Sequence, residues 1–169
     1  GEWMRAGQFC FFTHPITELR GSRLGIIGEG SIGQGVAAIA RAFGMQVMFE
    51  TGLEHGTQTQ GLGQWPGVVR QLNAETLPHM GWTSVQPGAG SVLFEGIEDE
   101  RFYFVHTYAA TKFELDVMPP FVPPTLTFAH HGEDFLAAVE NGPLSTTQFH
   151  PEKSGQAGLK LLSNWLKSL

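Results

Sequence analysis

The apolar run Arg23-Leu-Gly-Ile-Ile27 leads directly into Gly28-Glu-Gly-Ser-Ile-Gly33, and an alanine-rich stretch, Gln34–Phe43, follows. No other segment restricts the fold as tightly. The run suits a buried parallel strand. Ile32, Val36, Ile39, Ala40 and Phe43 recur at helical spacing, and Gly44 stands where a helix would stop. Strand, glycine turn and helix form the context in which G-x-G-x-x-G reads as a dinucleotide fingerprint. Gly28 would make the turn, and Gly30 would let a pyrophosphate approach the backbone. Gly33 would let the helix pack closely on the strand, its N-terminal N–H groups facing the anion.

Downstream the texture changes. Ser91–Phe94, Phe102–His106, Leu126–Ala129 and Ala137–Val139 read as short strands between Gly, Pro and acidic turns. Met118-Pro-Pro-Phe-Val-Pro-Pro124 cannot be regular helix and reads as an exposed extended loop. Thr147–Glu152 reads as a strand end running into a loop. Gly155–Leu169 reads as a closing helix with Leu159, Leu162, Trp165, Leu166 and Leu169 on one face.

The length of 169 residues allows one domain with a real core, and 41% hydrophobic against 15% charged residues is a globular balance. A net charge of −6 argues against a nucleic-acid or anionic-membrane surface. No apolar run is long enough to span a bilayer. A single cysteine, Cys10, precludes an internal disulfide and fits a reducing cytoplasm. The first residue is Gly rather than Met, as in an excerpt from a longer sequence. Adjacent His130 and His131 would point to opposite sides of a strand, which argues against a metal site. Trp65, Trp82 and Trp165 read as core or interface residues.

Three motifs occur in order: Leu77-Pro-His-Met-Gly-Trp82, Phe102-Tyr-Phe-Val-His-Thr-Tyr108 and Gln148-Phe-His-Pro-Glu-Lys-Ser154. With Gly44-Met-Gln46, Phe49-Glu50 and Gly63-Gln-Trp-Pro-Gly67, they make residues 44–169 resemble the glutamine amidotransferase subunit of imidazole glycerol phosphate synthase. That family supplies ammonia to a cyclase subunit in histidine biosynthesis. Its glutaminase chemistry needs a thiolate to attack the amide, a histidine to accept and return a proton, and a carboxylate to orient the imidazole. His150 and Glu152 sit two apart, so at an extended strand end both would face one side, with Pro151 fixing the backbone. The resemblance implies His150 as general base and acid, Glu152 as its orienting partner, and Gln46 as a residue holding the substrate glutamine. It places Met80, Trp82, Tyr103, His106 and Lys153 toward the cyclase interface and the ammonia exit. It implies no cofactor.

The family nucleophile lies in a Cys-x-Gly-Met-Gln turn, which here reads Ala42-Phe-Gly-Met-Gln46. Ala42 therefore replaces the cysteine, and loss of one triad member removes nearly all acceleration. Cys10, in the apolar cluster Gln8–Phe12, has no basic neighbour to activate it and reads as a buried, inert thiol. Upstream, Thr17–Gly21, Leu24–Gly33 and Ala40–Met45 resemble the cofactor domain of D-2-hydroxyacid dehydrogenases. That likeness implies an alternative, NAD(P) binding through Gly28, Gly30 and Gly33, with Glu50 near the end of the second strand as ribose ligand. The dehydrogenase's catalytic residues and substrate domain have no counterpart here.

The two resemblances meet at Gly44-Met45, so the chain reads as a mosaic: a Rossmann-like βα segment over 1–44 and an amidotransferase-like segment over 45–169, together one α/β domain. The implied architecture is a three-layer sandwich with a central, mostly parallel sheet, as in class I glutamine amidotransferases. At the joint the patterns conflict. Gln46–Glu50 is a second parallel strand in one family and the start of a helix in the other, with Val47 and Phe49 leaning to strand. The functional expectation is a histidine-pathway amidotransferase subunit without glutaminase activity. The alternatives are a dinucleotide-binding fragment and a non-catalytic chimeric α/β protein.

Overall fold

The structure is a computed structural model that describes residues 48–54, 56–142 and 144–168. Three sheets are present among them. In the first, β1 (Phe49–Glu54) pairs antiparallel with β2 (Thr57–Gln60) and parallel with β3 (Trp65–Gln71), which pairs antiparallel with β6 (Tyr108–Ala110). In the second, β4 (His79–Ser84) and β5 (Arg101–His106) form an antiparallel ribbon. In the third, β7 (Thr125–His131), β8 (Glu133–Asn141) and β9 (Leu144–Thr147) form an antiparallel meander. A 3-10 turn over Pro151–Lys153 and the helix α1 (Gly155–Ser168) complete the described elements. The only parallel pairing among the described residues is β1 with β3.

Of the joint's described residues, Phe49 and Glu50 are strand, while Met48 before them is in 3-10 conformation. The β-forming Phe49 is fully buried against Trp65 and Phe113, at ring-centroid distances of 5.7 and 6.3 Å. Gly67, at φ 128°, breaks the register between β1 and β3, and a Cβ there would meet the Phe49 ring at 3.3 Å. The bulge therefore makes room for the aromatic anchor.

β8 is the hub of the packing. Its run Phe135-Leu-Ala-Ala-Val139 is wholly buried because one side faces each of two apolar clusters. Phe94, Phe102, Phe104, Phe135 and Phe149 gather in one cluster. Met48, Phe49, Trp65, Val69, Leu136 and Val139 gather in the other. Arg70 of β3 binds Glu133 of β8 through both guanidinium NH groups at 2.7 Å, fastening the first sheet to the third.

Three sequence expectations fall elsewhere. Ser91–Phe94 is a turn, not a strand. The carboxylate of Glu140 accepts the N–H groups of Val92 and Leu93 at 2.9 and 3.2 Å, and the Ser91 hydroxyl both donates to Glu140 and accepts from Phe94 N–H. These bonds take the groups a strand ladder would need. The helix α1 buries a face rotated away from the leucine stripe: Ala157, Gly158, Leu161 and Asn164 are buried, Trp165 is partly buried, and Leu159, Leu162 and Leu166 are exposed. Small side chains let that face approach, and Asn164 Nδ2 donates to the carbonyls of Leu93 and Glu95 at 3.0 and 2.9 Å. The third, Glu50, is taken up with the site below.

Candidate functional site

β9 ends at Thr147, and Phe149 carries the chain into the core, where its ring meets Phe102 at 4.4 Å. Burying such a ring contributes roughly 2–3 kcal/mol. His150 follows in extended conformation, φ −97° and ψ 98°, and Pro151 opens the 3-10 turn at a position where its missing N–H costs nothing. His150 and Glu152 are thus paired by a turn rather than by the extended strand end that their spacing suggested. His150 Nδ1 donates to Glu152 Oε1 at 2.9 Å. A carboxylate only accepts, so this bond fixes the Nδ1–H tautomer. Nε2 is left without a hydrogen-bond partner among the described residues, in the state a general base requires.

The turn is held on both sides. His150 N–H donates to Tyr103 O at 2.9 Å, and the Ser154 hydroxyl donates to His150 O at 2.7 Å while accepting Tyr103 N–H at 3.0 Å. On the other side α1 begins directly against the turn. A Cβ on Gly158 would lie 1.8 Å from Pro151 O, so only glycine fits there.

The β4–β5 ribbon alternates cleanly. Its outer face carries Met80 and Trp82, both exposed, with Tyr103 directly opposite Trp82 and the two rings 5.9 Å apart. Trp82 Cη2 lies 4.0 Å from where a Cβ on Gly155 would be, and Lys153 is exposed on the adjoining turn. Trp82, Tyr103 and Lys153 therefore adjoin the His150 turn, and Met80 shares the ribbon face with Trp82. His106 does not join them. It lies on the inner face, 7% exposed, because it is one residue out of phase with Tyr103 and Val105.

Inside, His106 belongs to a chain of rings. Its Nδ1 donates to Tyr108 O at 3.0 Å, which leaves Nε2 to accept from His79 Nδ1 at 3.0 Å. His79 Nε2 then accepts from the Thr83 hydroxyl at 2.7 Å. Every member is satisfied only when both imidazoles are neutral. His79 also stacks on Phe104 at 4.9 Å and on His131 at 4.2 Å. Burial, followed by the neighbouring histidines, pushes His79 down to about 4, and burial likewise pushes His106 down to about 4. His130 engages Asp134 at 2.7 Å, while His131 donates from Nε2 to Thr76 O, so the two adjacent histidines serve different neighbours.

Ala42, Gln46, Gly28, Gly30, Gly33 and Cys10 lie outside the described residues. Glu50 is exposed and is the second residue of β1, not near its carboxyl end as the ribose-ligand reading required. Strand β1 starts at Phe49 rather than earlier, which puts Glu50 at the wrong end for a nucleotide crevice. The residues that sequence reasoning passed over are Ser154, Gly158 and His79. Ser154 closes the His-Pro-Glu motif and Gly158 follows it by one helical turn. That spacing was the available signal; for His79 the signal was its place between Pro78 and Met80.

A family model for the NAD-binding domain of D-isomer specific 2-hydroxyacid dehydrogenases matches residues 1–64, a stretch that runs past the Gly44-Met45 joint to include β1 and β2. The imidazole glycerol phosphate synthase subunit HisH of Leifsonia xyli subsp. xyli is 53% identical over 158 residues, covering 94% of this chain and 76% of its own length. HisH of Nocardia farcinica is 56% identical over 164 residues, 96% of this chain and 76% of its own. HisH of Renibacterium salmoninarum is 52% identical over 160 residues, 94% of this chain and 73% of its own. Such coverage carries the amidotransferase likeness upstream of Gly44, into the stretch that also matches the dehydrogenase domain. With both the His150–Glu152 turn and the exposed ribbon face in place, this chain belongs to the HisH family, the glutamine amidotransferase subunits of imidazole glycerol phosphate synthase.

Proposed function

We propose that this chain is a HisH subunit that docks on a cyclase partner and does not hydrolyse glutamine. One observation carries the reading: His150 is oriented by Glu152 with Nε2 ready to act as a base, while the nucleophile's position, Ala42, has no atom for it to activate. An oriented base without a thiol can polarise water but cannot form the acyl-enzyme that the family's chemistry passes through. Glutamine, held with the help of Gln46, would be bound rather than turned over. Met80, Trp82, Tyr103 and Lys153 form the docking face, since an exposed tryptophan beside a tyrosine and a cation is the composition of an interface anchor.

The same reading takes residues 1–169 as one α/β domain, a three-layer sandwich whose central sheet is mostly parallel. Residues 1–44 contribute a Rossmann-like βα segment to it and residues 45–169 the amidotransferase-like part. No helix among the described residues is long and apolar enough to cross a membrane, and a cytoplasmic site of action belongs to this proposal. Calorimetric titration with the cyclase subunit of Nocardia farcinica tests it. A one-to-one complex is expected, weakened roughly tenfold or more by Trp82→Ala. Absence of binding at tens of micromolar would refute the docking half.

The match over residues 1–64 favours a second reading, NAD(P) binding through Gly28, Gly30 and Gly33. The described residues fit it poorly, because Glu50 stands at the start of β1. A fluorescence titration with NADH showing no affinity at millimolar concentration would eliminate it.

A further inference from the structure

Ser154 lies outside both the His150–Glu152 pair and the exposed ribbon face, yet it bonds to the backbone of each. It is 2% exposed, and both roles of its hydroxyl are used. The bonds close a ring: Tyr103 O accepts from His150 N–H, His150 O accepts from Ser154 Oγ, and Ser154 Oγ accepts from Tyr103 N–H. Tyr103 carries its side chain on the outer face, against Trp82, while its backbone is one side of this ring. Trp82 also reaches over Gly155, the residue next to Ser154. On its far side the turn is bounded by α1, since Pro151 O lies where a Cβ on Gly158 would be.

We propose that Ser154 is a positioning residue that couples the Trp82–Tyr103 face to the orientation of the His150 imidazole. A displacement of Tyr103 is passed to the His150 carbonyl through the serine hydroxyl. With the Gly158 side bounded by α1, the turn responds by rotating the His150–Glu152 pair. The biological meaning rests on that face being the docking surface. The coupling itself is a property of the hydrogen-bonded ring, so it is measured on the chain alone and its failure is distinguishable from a failure to bind a cyclase.

The experiment is long-range 15N–1H correlation of the His150 ring at a pH where histidine is neutral, on the parent, Trp82→Ala, Ser154→Ala and the double variant. In the parent the Nδ1–H tautomer prevails. Trp82→Ala shifts the ring nitrogens toward the Nε2–H form. Ser154→Ala does the same, adding Trp82→Ala then changes nothing further, and exchange of the Tyr103 amide quickens roughly fivefold. Ser154→Thr, which keeps the hydroxyl, behaves as the parent. If Ser154→Ala does not fold, Ser154→Cys, similar in volume but a weak hydrogen-bonding group, takes its place. An unmoved tautomer in Trp82→Ala or in Ser154→Ala, or equal shifts on Trp82→Ala with and without the Ser154 hydroxyl, would overturn the proposal.

Discussion

The two faces of the β4–β5 ribbon are built from the same twelve residues and could hardly differ more. The inner face buries Phe102, Phe104, His79 and His106; the outer face leaves Met80 and Trp82 in solvent. On the inner side each imidazole nitrogen has a defined partner, so the histidines serve as neutral hydrogen-bonding plates between aromatic rings. On the outer side Met80 stands largely in solvent, and Trp82 meets Tyr103 and the Gly155 turn while leaving much of its ring exposed. The difference teaches that a motif is two messages interleaved at period two, one for the core and one for a partner. His106 and Tyr103 are three residues apart and belong to different messages.

The contrast is most easily broken from the inside. Phe104→Ala removes a fully buried ring and is expected to cost about 3–5 kcal/mol of stability, measured by urea unfolding. Acid should also attack the inner face. His79 and His106 sit at about 4 in the fold against about 6.5 in the unfolded chain. The unfolded chain therefore binds more protons in between: the stabilisation is whole above about pH 6.5 and is lost as pH falls toward about 4, by at most about 1.4 kcal/mol per pH unit for each ring. His79→Asn with His106→Asn should flatten that slope in a pH series of unfolding midpoints.

Glu133 acts lower. Its bond to Arg70, and then the Asn73 N–H, hold its carboxyl down at about 2, so its contribution is complete above about 4.5 and fades as pH falls toward 2. Glu133→Gln should cost about 1 kcal/mol at neutral pH, the size expected of a half-exposed bidentate pair. It should leave the window between pH 4 and 6.5 unchanged. Smallest of all is the outer face: Trp82→Ala should move stability by only about 0.5 kcal/mol, because its ring is already substantially in water. A cost near that of Phe104→Ala would mean the two faces are not distinct.

Much of this was legible in the residues. Phe102–His106, Leu126–Ala129 and Ala137–Val139 lie inside observed strands because alternating or continuous apolar runs leave few other choices. The His150–Glu152 pair was readable from its motif. What was not readable depends on contacts distant in sequence. The helix hides Leu161 and Asn164 instead of its leucine stripe because Pro151 O and the carbonyls of Leu93 and Glu95 select that face. Ser91–Phe94 is a turn because Glu140, on another sheet, captures its N–H groups. The burial of His106 follows from strand register, which a motif match does not specify.

The most direct test of the central claim is glutamate release from glutamine by this chain in the presence of a cyclase subunit and its substrate. Complex formation with no glutamate above the uncatalysed background is the predicted result, since His150 and Glu152 have no thiol at Ala42 to serve. Turnover at a rate typical of an active amidotransferase subunit would contradict it, and would mean that another nucleophile stands within reach of His150.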